Sequence, residues 1–207
     1  GYMGGGKSAL WEDEKIAGTL ADKAVSYITG HKDEPFFLYF ATHDIHVPRV
    51  PAPEFEGKSG LGKRGDVILQ LDWTVGQIVE CLDSLGLRDD TIVIFSSDNG
   101  PVLDDGYADD AVALFEGHSV SGPLRGYKGG SWEGGTRVPA FVSCPGMIAG
   151  GQVSDTRLCH IDLLASFASY LGIDLPDGSA PDSMPMMDQW LGKSKVSRPY
   201  LVEHNHR

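Results

Sequence analysis

The chain has 207 residues, 41% hydrophobic and 22% charged, an ordinary globular balance that excludes disordered, collagenous and coiled-coil chains. Seventeen basic residues against 29 acidic ones leave a net charge of -12, so the overall field repels phosphate and disfavours nucleic-acid and anionic-membrane partners. No apolar run approaches the ~18 residues of a spanning helix, no targeting segment is visible, and 27 glycines with 12 prolines predict a loop-rich domain.

The first feature in chain order is Gly1-Tyr2-Met3-Gly4-Gly5-Gly6-Lys7-Ser8, which fits the P-loop pattern of backbone amides and a lysine around phosphates. No buried strand precedes its first glycine, and a glycine-rich surface turn is the favoured reading. Trp11 to Ile28 predicts a helix: Glu12, Asp13 and Glu14 suit its first turn, and Ile16, Leu20, Ala24 and Ile28 repeat every four residues, with Gly30 as the stop. Phe36 to Ala41 predicts a strand buried on both faces. It runs into Thr42-His43-Asp44-Ile45-His46 and a stretch broken by Pro48, Pro51 and Pro53.

Asp66 to Leu85 is the clearest helix, with Val67, Ile68, Leu71, Val75, Ile78, Val79, Leu82 and Leu85 on one stripe and Gly86 beyond its end. Thr91 to Phe95 predicts a second strand, ending in Ser96-Ser97-Asp98-Asn99-Gly100. The irregular stretch from Pro101 to Arg137 is longer than compact domains carry without a functional reason. Val138 to Val142 predicts a third strand, Ile161 to Leu171 a helix, and Tyr200 to Val202 a last short strand. Strands alternating with helices predict an α/β fold, a sheet sandwiched between helices. The polar clusters follow the strands, where such sheets place their ligands.

Cys81, Cys144 and Cys159 make an odd count without CxxC spacing, so neither a disulfide framework nor a structural zinc site is readable. Cys81, near Ile78, Leu82 and Leu85, reads as a packing residue. Asp98 and Asn99 offer a carboxylate and an amide oxygen, hard ligands suited to Ca²⁺ or Mg²⁺, although Asp-Asn-Gly after a strand also reads as a plain turn. His43 and His46 suit metal binding or proton transfer, or simply a hydrogen-bonded loop. Arg125 and Lys128 stand among Gly126, Gly129 and Gly130, where backbone can approach an anion closely; the alternative is a solvated lysine. Glu133 and Arg137 could pair to brace a turn.

Together these segments resemble the type I sulfatases of the alkaline-phosphatase superfamily. Phe36 to Pro48 is similar to their strand-to-histidine segment, and Ile92 to Gly100 to their strand with the Ser-Asp-Asn-Gly metal motif. Gly122-Pro123-Leu124-Arg125-Gly126-Tyr127-Lys128 and Trp132-Glu133-Gly134-Gly135-Thr136-Arg137-Val138-Pro139 resemble their lysine segment with its Glu-Gly-Gly-x-Arg-x-Pro tail. The resemblance implies an alkaline-phosphatase-like fold and hydrolysis of an aryl or carbohydrate sulfate ester. It implies Asp98 and Asn99 as ligands of Ca²⁺ (or Mg²⁺), Lys128 on a sulfate oxygen, and His46 as proton donor to the leaving alcohol. His43, His118 and Arg125 would contact the substrate, and the setting would be periplasmic or secreted.

The family nucleophile is a formylglycine made within a C/S-x-P/A-x-R signature, and none of Cys81, Cys144 and Cys159 begins one. Residues 1–207 are therefore expected to be part of a catalytic domain, without the nucleophile segment or the smaller C-terminal domain, and inactive alone. The rival readings are a phosphodiesterase or phosphonate hydrolase of the same superfamily, a non-catalytic calcium-binding module and, least favoured, a P-loop NTPase.

Overall fold

The computed structural model describes residues 5–114 and 117–204, so Gly1 to Gly4 of the P-loop-like pattern lie outside the described residues. The chain divides into two compact units. The first comprises Gly1–Arg88 and Val102–Val120, the second Asp89–Pro101 and Ser121–Arg207. Among the described residues no helix is long and apolar enough to cross a membrane.

The first unit is built on two helices, α1 (Ile16–Gly30) and α2 (Gly62–Ser84), packed against each other. The inward face of α1 is Ala17, Ala21, Ala24 and Ile28, small side chains at helical spacing that allow close approach. Val67, Cys81 and Leu82 of α2 are buried too, and Cys81 has the packing role its neighbours predict. Much of the buried surface of α2 is polar, however. Asp66, Gln70 and Thr74 are buried while Ile68 is 53% exposed, because each polar group has a partner that the apolar periodicity does not reveal. Lys7–Ala9 forms a single 3-10 turn well before α1, where a P-loop requires its helix to begin.

Phe36 to Ala41 is a correction to the sequence expectation. The segment is extended and alternates half-buried with exposed residues, but it forms no strand, since a strand needs a ladder partner and the described residues of its unit provide none. Its inward residues rest on α1: Phe36 meets the Tyr27 ring edge-on at 6.2 Å, and the Tyr27 hydroxyl donates to the Phe37 carbonyl.

The second unit holds the one described sheet. β1 (Val93–Ser96) and β2 (Ala140–Ser143) pair antiparallel, Val93 opposite Ser143 and Ser96 opposite Ala140. Both strands begin two residues later than the apolar runs suggest. Ile92, Ile94 and Val142 pack against a core of Met186, Met187, Trp190 and Leu191, to which α4 (Asp162–Leu171) adds Leu163 and Phe167. Between the strands in sequence lies α3 (Glu133–Thr136), and α5 (Met187–Trp190) carries Met187 and Trp190 of the core, with Met186 and Leu191 flanking it. Gly172, at φ 66°, closes α4, where a left-handed residue satisfies the last carbonyls. Asp162 is fully buried against Arg198 and also accepts the Met184 amide at 2.9 Å. Tyr200 to Val202 is not a strand.

Candidate active site

In the second unit, three backbone segments that carry the candidate residues touch without intervening side chains. The Gly100 amide donates to the Gly135 carbonyl at 2.8 Å, the Lys128 amide to Pro101 at 2.9 Å, and the Gly134 amide to Arg125 at 2.7 Å. Side chains would not fit. A Cβ on Gly100 would collide with the Gly134 carbonyl, one on Gly134 with the Gly126 carbonyl, and one on Gly135 would lie 2.5 Å from the carbonyl oxygens of Tyr127 and Gly130. The glycines of Asp98-Asn99-Gly100 and Glu133-Gly134-Gly135 are thus required by close backbone approach. The contact fixes the Asp98–Asn99 turn against the loop that carries Lys128.

Asp98 is exposed at the end of β1, with no hydrogen bond or ion pair among the described residues. Asn99 donates its Nδ2 to the Gly100 carbonyl at 3.0 Å, which leaves Oδ1 as the oxygen able to coordinate. One carboxylate and one amide oxygen, adjacent on a turn whose backbone is locked, fit a hard divalent cation. Among the described residues no group of three or more His, Cys, Asp or Glu side chains is placed to hold a metal ion. The described residues therefore bring two candidate oxygens to this turn, of the six to eight that a calcium takes.

Lys128 is half-buried on the same loop. Arg125 is exposed, its guanidinium stacked 3.8 Å above the centre of the Trp132 ring, which holds its plane fixed. Glu133 and Arg137 pair across one turn at 3.4 Å, the brace expected from their spacing. Neither is buried, so the pair contributes little.

The histidine loop belongs to the first unit. His46 follows a turn closed by its own amide on the His43 carbonyl, at 3.2 Å. Its Nδ1 lies 3.0 Å from the Val47 carbonyl. A carbonyl only accepts, so Nδ1 carries the hydrogen in this contact. Gln70 secures the loop at both ends, donating to Asp44 Oδ1 and accepting from the Ala52 amide, each at 2.7 Å. Burial pushes the Asp44 carboxyl above its usual range, against the pull of the Gln70 hydrogen bond and of His43; its Oδ2 is buried without a hydrogen bond. His43 is half-buried and His118 exposed, both in this unit.

Beyond the loop, Arg49 is buried and reaches Asp105 at 2.5 Å and Asp109 at 2.7 Å. Arg64 donates to the same Asp109 oxygen at 3.0 Å. The Arg49 hydrogen bond holds the Asp105 carboxyl below the usual carboxylate range. For Asp109, burial opposes the charge, yet the hydrogen bonds from Arg64 and the Ala111 amide, with both guanidinium charges, bring it below that range as well.

The comparisons with known proteins agree on one family. The Sulfatase family matches residues 11–173. The chain is 53% identical over 205 residues to an N-acetylgalactosamine-6-O-sulfatase of Bacteroides thetaiotaomicron, covering 99% of this chain and 40% of that protein. A solved structure from work on the metabolism of multiple glycosaminoglycans by the same organism superposes with a TM-score of 0.92 at 53% identity, over 97% of this chain and 42% of that one. A protein crystallised in complex with a neocarrahexaose matches with a TM-score of 0.69 at 26% identity, over 87% of this chain and 39% of its own.

The chain belongs to the sulfatase family.

It spans about two fifths of the length of each of the relatives named above. Its fold is the alkaline-phosphatase-like α/β fold of these sulfatases, represented by a small sheet with helices. Of the candidate residues in this sulfatase chain, Asp98, Asn99, Arg125 and Lys128 lie in the second unit and are tied together by the glycine contacts. His43, His46 and His118 lie in the first unit, each described within it. The sequence reading missed Gln70 and the Arg49–Arg64–Asp105–Asp109 group. It also missed His160, whose Nε2 lies 2.9 Å from a Ser96 hydroxyl that donates to the Pro139 carbonyl. The available signal was the acidic run Asp104-Asp105-Gly106-Tyr107-Ala108-Asp109 in the irregular stretch after the metal motif.

Proposed function

We propose that this chain is part of the catalytic domain of a sulfuric ester hydrolase that releases sulfate from an aryl or carbohydrate sulfate ester. The observation that carries the proposal is the glycine contact that ties the two oxygen ligands to the lysine loop, because charge neutralisation needs cation and lysine fixed in advance. Asp98 and Asn99 would hold a Ca²⁺ (or Mg²⁺) that would supply fixed positive charge, and the family's formylglycine would supply the attacking oxygen.

The chain's own residues then have separable tasks. Lys128 holds a sulfuryl oxygen and offsets the charge that grows there; removing such a donor typically costs ~10²–10³ in rate. His46 donates from Nε2 to the departing alcohol oxygen, which would otherwise leave as an alkoxide. Its Nδ1–H, fixed on Val47, keeps the ring oriented through the transfer. His43, His118 and Arg125 contact the organic part of the substrate. The sulfated carbohydrate class is supported by the sugar-sulfatase relative and by the neocarrahexaose complex. A periplasmic or secreted setting belongs to the same proposal, and fractionation of the source cells tests it.

The deciding experiment offers the full-length protein the sulfate and phosphate monoesters of the same phenol. The proposal expects turnover of the sulfate well above the phosphate, and loss of sulfate turnover in Lys128→Ala. Preferred turnover of the phosphate would assign the site to phosphoryl transfer. Calcium-dependent stability without turnover of either ester would make it a binding module.

A further inference from the structure

Two arginines and two aspartates, brought together from three parts of the first unit, hold the backbone of the histidine loop. Arg49 uses three differently directed donors on three acceptors: Nε on the Ile45 carbonyl at 3.0 Å, NH1 on Asp109 at 2.7 Å and NH2 on Asp105 at 2.5 Å. Ile45 is the residue before His46. Arg64 in turn donates to Asp109 at 3.0 Å and to the carbonyls of Val102 and Leu103 at 2.6 Å each. Arg49 and Asp109 are each 5% exposed.

A buried group of this kind is a weak source of stability, because desolvation of the charges offsets most of their attraction and apolar residues can often replace it without loss. Its distinctive property is geometric. A planar guanidinium with three directed donors satisfied cannot rotate, so the Ile45 carbonyl is pinned to the Val102–Val120 segment, which follows the Asp98–Asn99 motif in sequence.

We infer that Arg49, held by Asp105 and Asp109, is a positioning residue that sets His46 for proton donation to the leaving group. The inference rests on the sulfatase reading above. Arg49 contacts no reacting atom; it fixes the peptide on which His46 stands. Misplacing a catalytic group by about 1 Å can cost ~10²-fold.

The test compares full-length Arg49→Lys with wild type on a sugar sulfate, whose alcohol leaves poorly, and on nitrophenyl sulfate, whose phenolate leaves unaided. Lysine keeps a positive charge between the two aspartates but lacks the planar fork that also reaches Ile45. The expected result is a kcat loss of roughly 10- to 100-fold on the sugar sulfate. KM should stay close to wild type, and the loss on nitrophenyl sulfate should be within about threefold, since that leaving group needs no acid. Asp105→Asn, which loosens the guanidinium while leaving Asp109 in place, should show the same split and carries the test if Arg49→Lys does not fold. Equal losses on both substrates would overturn the inference and reduce the group to a structural support. His46→Ala is measured alongside. If it shows no split, the general-acid reading fails, and the positioning role with it; a split there without one in the Arg49 and Asp105 variants overturns only the positioning role.

Discussion

The two loops that carry the candidate residues are held in opposite ways. The Lys128 loop and the Asp98–Asn99 turn are joined backbone to backbone, through Gly100, Gly134 and Gly135, with no ionisable group in the contact. The histidine loop is held by side chains reaching in from a distance: Gln70 on Asp44 and Ala52, and Arg49 between Asp105 and Asp109. A backbone lock tolerates no Cβ and ignores pH. A side-chain clamp can be weakened one hydrogen bond at a time, and it titrates. Groups that neutralise charge gain from the first kind of support, since their field must be fixed before reaction. A proton donor needs only its approach direction controlled, which the second kind supplies.

Mutations sharpen this contrast, from the largest effect to the smallest. Gly100→Ala should be the most damaging, because the new Cβ meets the Gly134 carbonyl and backbone must move; a loss above roughly 4 kcal/mol marks such a special site. Chemical denaturation of the full-length protein measures it, and an unchanged midpoint would mean that the lock yields freely. Asp109→Asn comes next, at roughly 3 kcal/mol, since it leaves the buried Arg49 and Arg64 charges short of a partner. Gln70→Leu should cost about 1–3 kcal/mol by stranding the Ala52 amide and the Asp44 carboxylate. Gly76→Ala is the control. That glycine lies within α2 with nothing within 4 Å of its Cβ position, so alanine should stabilise by up to about 1 kcal/mol.

Acid should separate the loops without mutation. Asp105 and Asp109 titrate below the ordinary carboxylate value of about 3.9, so their contribution is present above that value and lost as pH falls through their lower folded values. Asp66, opposed by burial but hydrogen-bonded by Ser59 and Gly57, behaves the same way. Asp44 has the opposite sign: its pKa is raised, so its contribution is complete at low pH and is lost as pH rises through the folded value. The stability gap between wild type and Asp109→Asn should therefore stay constant from neutral pH down to the ordinary carboxylate value of about 3.9 and shrink only below it. A gap still independent of pH below that value would show that Asp109 is not held as a carboxylate.

What the sequence made legible follows the same division. Local signals survive: helix α2 with Gly86 beyond it, helix α4 and both strands of the sheet all follow from runs of a few residues. The order of Asp98-Asn99-Gly100, Lys128 and Glu133-Gly134-Gly135 is legible too, because the backbone lock writes its glycines into the motifs. Phe36 to Ala41 has the composition of a buried strand, but pairing depends on a neighbour that composition does not specify. The polar face of α2 is hidden because Asp66 and Gln70 are satisfied by the 52–59 segment rather than by residues of their own helix. The Arg49 group is hidden for a related reason: its pairs lie 56 and 60 residues apart, and no single-segment pattern joins them.

The measurement that bears most directly on the account follows rate loss across sulfate esters of rising leaving-group pKa, in full-length His46→Ala and Lys128→Ala. The account predicts that the His46→Ala loss grows steeply with leaving-group pKa, approaching the ~10²–10⁴-fold that a positioned acid contributes. The Lys128→Ala loss should stay nearly constant across the series, because in the proposed function the lysine holds sulfuryl oxygens common to every substrate. Parallel losses for the two variants, or a Lys128→Ala enzyme as fast as wild type, would contradict the division of labour between the two loops.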